Sequence, residues 1–145
     1  MSIGSRATEH ESAAIKAFVV REKRERLLGF LAKPKTRKRF VQELNHFRLF
    51  DHRFAAPVSW QIDPSLKLWD RHVHGIANIC RKLQSKGAGN TCWVMSDNEE
   101  LDGRELDLEW VLEKAIDGQT STILSCIPGK LALFVGEREM LLLVR

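Results

Sequence analysis

Lys33, Lys35, Arg37, Lys38 and Arg39 crowd around Pro34, and this cluster is the part of the chain best suited to chemistry. A helix expected to open near Pro34 would place these cations at its first turn. There, unpaired backbone N–H groups and the helix dipole favour an anion. Arg21, Lys23, Arg24 and Arg26 lie on the preceding helical stretch, whose end would bring some of them, Arg24 among them, alongside. A phosphate, a nucleic-acid backbone or an acidic protein surface fits this chemistry. The expected anion- or nucleic-acid-binding residues are therefore Lys33, Lys35, Arg37, Lys38, Arg39 and Arg24. The competing interpretation is a solvated helical face, with some of these cations paired to the protein's own acidic C-terminal part. A helix–joint–helix layout also compares with DNA-binding helix-turn-helix units, but Gln42 and Asn45, which would have to read base edges, sit well into the helix. Phe40 and Phe47 lie on a stripe expected to be buried, so no exposed aromatics interleave with the cations to stack bases.

Other chemically able residues are less well placed. Cys126, in Ser125-Cys126-Ile127-Pro128-Gly129, ends an expected strand, and a thiol nucleophile needs a base and an orienting group. Sequence places no histidine beside it, so a buried thiol before a turn is the plainer expectation, with an enzyme using Cys126 or a histidine–carboxylate pair as a further alternative. His72 and His74 are two apart on an expected helix and point about 200° away from each other. Asp70 and His74 share a helical face, yet no third metal ligand accompanies them. His46 and His52 suggest only packing and solvent contact. Asp97 to Gly103 invites a calcium reading that fails on register: the sixth position is Asp102 where glycine is needed, and the twelfth is Leu108. Phosphate-loop, dinucleotide, zinc-protease and nucleophile-elbow motifs are absent. No cofactor and no metal site are expected, and the balance leans away from an enzyme.

These groups must be held by an α+β domain. Residues 1–11 read as a flexible N-terminal tail, and residues 12–145 as a single domain. Val20, Leu27, Leu28 and Leu31 share one helical face that Ile15 and Phe18 extend, until Pro34 breaks the run. Phe40, Val41, Leu44 and Phe47 mark a second helix to about Leu49, completing an N-terminal helical hairpin. Residues 50–62 look irregular, with a short extended piece around Val58 to Ile62. Asp63-Pro64 opens a third, long helix striped by Leu66, Trp69, Val73, Ile76, Cys80 and Leu83 and closed by Gly87. Beyond Asn90, a strand over Thr91 to Ser96, a helix capped by Asp107 and three strands (120–127, 130–135 and 139–144) predict a mostly antiparallel sheet of about four strands with one inserted helix. The last strand is apolar on both faces, so it is either covered on each side or makes an oligomer contact.

Charge follows the same division. Residues 12–90 form a basic helical part and 91–145 an acidic sheet-containing part, within an overall net charge of +4. Such segregation concerns partners and not fold. Met140 to Val144 is far shorter than the roughly 20 apolar residues needed to span a bilayer, and the first residues lack the apolar stretch of a secretory signal. Three cysteines without C-x-x-C spacing argue against a disulfide framework or zinc ribbon and point to a cytoplasmic protein. The expectation is a non-enzymatic cytoplasmic binding or regulatory protein with a macromolecular partner, protein or nucleic acid, no membrane association, and possible self-association through the C-terminal sheet.

Overall fold

The computed structural model describes residues 3–45, 48–58, 68–118, 120–137 and 139–145, with the side chains of 3–8 and 68–74 outside the description. Three helices come first: α1 (Ile3–Phe18), α2 (Arg21–Leu31) and, after a 3-10 turn at Pro34–Thr36, the short α3 (Arg37–Glu43). Strand β1 (Ala55–Pro57) and the long α4 (Leu68–Ser85) follow. Then come β2 (Thr91–Ser96), β3 (Arg104–Asp107), α5 (Leu108–Gly118), β4 (Thr122–Ile127), β5 (Leu131–Val135) and β6 (Met140–Val144). The strands form one antiparallel sheet in the order β1-β6-β5-β4-β2-β3.

Period-two alternation divides the core between the two faces of this sheet. Cys92, Val94, Leu124, Leu133 and Leu142 pack with α4 and α5, whereas Trp93, Met95, Ile123, Phe134 and Leu143 pack with α1, α2 and α3. The molecule is thus a three-layer sandwich, helices–sheet–helices. Every residue of β5 is buried. Strand β6 sits next to it, with Met140 and Leu142 on one layer and Leu141 and Leu143 on the other. Coverage on both sides therefore accounts for the two-faced apolar strand without an oligomer contact.

The α+β expectation holds, with six strands in place of about four. The two extra strands, β1 and β3, are the sheet edges. β1 is three residues long and contains Pro57, and β3 carries Arg104, Glu105 and Asp107. Short, charged or proline-bearing edges discourage edge-to-edge pairing, and the same features hide them from a search for apolar alternation.

The N-terminal segment differs more. The stretch expected as a loose tail is helical from Ile3, and Glu11 at its end is buried and bonded to the rest of the protein. The single first helix is two. Val19 leaves the helix to bridge Phe50, and the extended Val20 donates its N–H to the Leu49 carbonyl. Neither glycine nor proline announces this break. Helix α3 stops at Glu43 instead of about Leu49, although Phe40, Val41 and Leu44 are buried as their spacing predicts. Phe47, the Val58–Ile62 piece beyond 58 and the Asp63-Pro64 helix start lie outside the described residues, as do the side chains of Trp69 and Val73. Gly87, at φ +110°, closes α4 as expected, with the Ala88 N–H returning to the Leu83 carbonyl. Asp107 caps α5 by accepting the Trp110 N–H at 3.0 Å.

Candidate functional site

The joint between α2 and α3 separates the expected cations into two groups. Lys33, Lys35, Lys38 and Arg39 are exposed and have no ion-pair partner among the described residues. Arg37 points inward. Its Nη1 and Nη2 donate to Glu11 Oε1 and Oε2, each at 2.7 Å. Its Nε and Nη2 donate to Asp102 Oδ2 and Oδ1 at 2.6 and 2.9 Å. One guanidinium is therefore gripped in two forks by two carboxylates, the geometry that best matches its planar donors. Its pKa rises: burial opposes this, and the hydrogen bonds and charges of Asp102 and Glu11 outweigh it.

This ion triad belongs to a longer polar seam that fixes the first helical layer to the sheet. Trp93 Nε1–H donates to Glu11 Oε2 at 2.8 Å, and the Trp93 ring stacks on His10 with centroids 6.1 Å apart. His10 Nδ1 and Ser125 Oγ are 2.8 Å apart, on the strand neighbouring Trp93. Asp102 also accepts the Ser96 backbone N–H, Ser96 Oγ meets Thr122 Oγ1, and Ser121 Oγ–H donates to Asn45. Buried polar groups satisfied in this way rigidify and specify a packing arrangement.

Arg37 therefore leaves the set of residues open to an external anion, since its charge is balanced inside the protein. Arg24, half-buried, spends its Nε–H on the Val19 carbonyl at 2.9 Å, tying α2 to the end of α1. Helix α3 has seven residues, too short to lend the joint an N-terminal anion site of its own. What remains is a strip of four outward cations. Beside it lies a shallow groove with Glu22, Glu25, Arg26, Phe30, Lys33 and Thr36 in its walls. Arg26 pairs with Glu43 at 3.0 Å and lies over the Phe30 ring. Cations and carboxylates alternate in this groove.

The thiols resist ionisation. Burial pushes Cys126 up to about 12 and Cys80 up to about 11, and burial moves Cys92 the same way. A thiol that resists ionisation at neutral pH is a poor attacking group. The Asp97–Gly103 segment is a self-bonded turn. Asn98 accepts the Glu100 N–H, and the Gly103 N–H reaches the Val94 carbonyl. Among the described residues, no group of three or more His, Cys, Asp or Glu side chains could hold a metal. The side chains of Asp70, His72 and His74, and all of His46, lie outside the described residues; His52 is exposed.

Sequence reasoning missed Glu11, Trp93 and His10 entirely, and gave Asp102 and Ser125 no partners. They are brought together by long-range packing: Arg37 is 26 positions from Glu11 and 65 from Asp102. A buried glutamate in a helix otherwise rich in small residues is the one sequence sign, and it is legible only once the helix is known. No family, curated protein or solved structure matches the chain.

Proposed function

We propose that this is a non-enzymatic binding or regulatory protein that engages an acidic protein partner through the joint between α2 and α3. The observation that carries this reading is the strip of Lys33, Lys35, Lys38 and Arg39, exposed and without an ion-pair partner among the described residues. The adjoining groove favours protein over nucleic acid: Glu22 and Glu25 would repel a phosphate backbone, whereas a mixed-charge protein surface can match both signs. Of the two arginines in the cluster, each able to grip a phosphate in two places, Arg37 is already committed to Glu11 and Asp102. Raised thiol pKa values argue against a cysteine enzyme. Three free cysteines suit a reducing, cytoplasmic setting, and no helix among the described residues is long and apolar enough to cross a membrane.

The test compares a labelled mixed-charge peptide, rich in glutamate with interspersed lysine, with duplex and single-stranded oligonucleotides at two salt concentrations. The expected result is tighter binding of the polypeptide, lost when Lys33, Lys35, Lys38 and Arg39 are together replaced by alanine. Preferential duplex binding, with a log–log salt slope near about −3.6 for four phosphate contacts, would establish the nucleic-acid alternative instead.

A further inference from the structure

A second concavity has a different character. Where β1, β6 and β5 meet the connection that follows α3, the surface opens into a cleft of about 650 Å³. Small-molecule sites commonly occupy about 300–1,000 Å³, with apolar walls and a few polar groups. Leu49, Phe50, Phe134 and Leu141 line its apolar part, and the Phe50 and Phe134 rings stand 4.9 Å apart, tilted by 54°. Gly136 permits this wall, because a Cβ at that position would come within 2.8 Å of the Phe134 ring.

Among the described residues, the ionisable side chains of the lining come from two connections. Arg48 and His52 come from the α3–β1 connection, and Glu137 and Glu139 come from the β5–β6 turn. All four are exposed. Arg48 has φ +60°, the left-handed region that residues with a Cβ rarely adopt, and such conformations gather at ligand-binding positions.

We infer that this cleft binds a small apolar zwitterion, an amino acid or short peptide with a large apolar side chain. Its carboxylate meets Arg48 and His52, and its ammonium meets Glu137 and Glu139. A simple organic acid would face the two glutamates, and a simple amine would face Arg48. A ligand carrying both charges complements both sides.

Calorimetric titration of the full chain tests this with L-phenylalanine, L-leucyl-L-phenylalanine, 3-phenylpropionate and phenethylamine. At least one zwitterion is expected to bind about ten-fold or more tighter than either single-charge analogue. Whichever zwitterion binds better tells a free amino acid from a peptide as the source. Arg48→Gly removes the guanidinium while easing the left-handed backbone. It is expected to weaken that ligand about ten-fold while the free protein keeps its native circular-dichroism spectrum. Glu137→Gln with Glu139→Gln is expected to weaken the zwitterion and leave 3-phenylpropionate binding no weaker. The inference is overturned if neither zwitterion binds up to about 10 mM, if a single-charge analogue binds as tightly, or if the Arg48 and glutamate variants bind the zwitterion like the parent.

Discussion

Replacing Arg37 by methionine keeps much of the side-chain length and removes four charge-assisted hydrogen bonds at once. Glu11, only 4% exposed, would keep the Trp93 indole N–H as its sole remaining donor among these contacts. Asp102 would keep the Ser96 N–H. Removing one partner of a fully buried ion pair leaves uncompensated charge and costs about 3–5 kcal/mol. Arg37 and Asp102 are half-buried, and solvent screening lowers this to about 2–3 kcal/mol. At about 3 °C per kcal/mol for a domain of this size, the melting temperature should fall by about 6–9 °C. Thermal and urea unfolding at neutral pH, followed by circular dichroism, measures this directly. Adding Glu11→Gln and Asp102→Asn to the same variant removes the stranded charges and should restore more than half of the loss. A loss below about 1 kcal/mol, the size expected of an exposed pair, would refute the shielding of this triad from solvent. So would a loss that high salt abolishes.

Alanine at Lys33, Lys35, Lys38 or Arg39, in contrast, should change stability by no more than about 0.5 kcal/mol each, and a larger loss in urea titrations would mean these cations have internal partners. Native protein should react with iodoacetamide far more slowly than a model thiol. Because burial raises the thiol pKa values, their contribution to stability is intact below the ordinary thiol value of 9.0 and is lost as pH climbs through about 11 for Cys80 and about 12 for Cys126. Alkaline unfolding monitored with thiol ionisation checks that order. Hydrogen bonds from the Arg53 side chain hold Asp51 down to about 2, so its stabilising effect persists above the ordinary 3.8 and disappears as pH falls toward 2. An NMR titration of that carboxyl group with an ordinary midpoint would contradict the contact. Gly87→Ala should cost about 1–3 kcal/mol in chemical denaturation, since φ +110° suits glycine and the new methyl would press on Ile127.

The second half of the chain was legible because its signals are local. Asp107 before Leu108, Val111, Leu112 and Ala115 marks a capped amphipathic helix, and turns at Pro128-Gly129 and Gly136-Glu137 separate apolar strands. Period and punctuation agree there. The first half was misread where tertiary contacts override such signals. Val19 and Val20 leave the helix to pair with Phe50 and Leu49, and Glu11 is held in a helical segment by groups that arrive much later in the chain. The candidate site was legible only by composition. Five cations near Pro34 look equivalent in sequence, yet Arg37 alone reaches Glu11 and Asp102. Which cation turns inward depends on where the β2–β3 turn lies, and helical spacing carries no such information.

The polar seam also bears on the order of assembly during synthesis. Helix α1 leaves the ribosome long before Trp93, Asp102 and Ser125, the groups that satisfy Glu11, Arg37 and His10. Strands β4, β5 and β6 form a contiguous meander whose pairings are local in sequence, so the sheet can zip up late and quickly. Until then the early helices have only Arg37 to match Glu11, and an apolar face with nothing to cover. The nascent first half must therefore wait, collapsed or chaperoned, for the second half to supply its template.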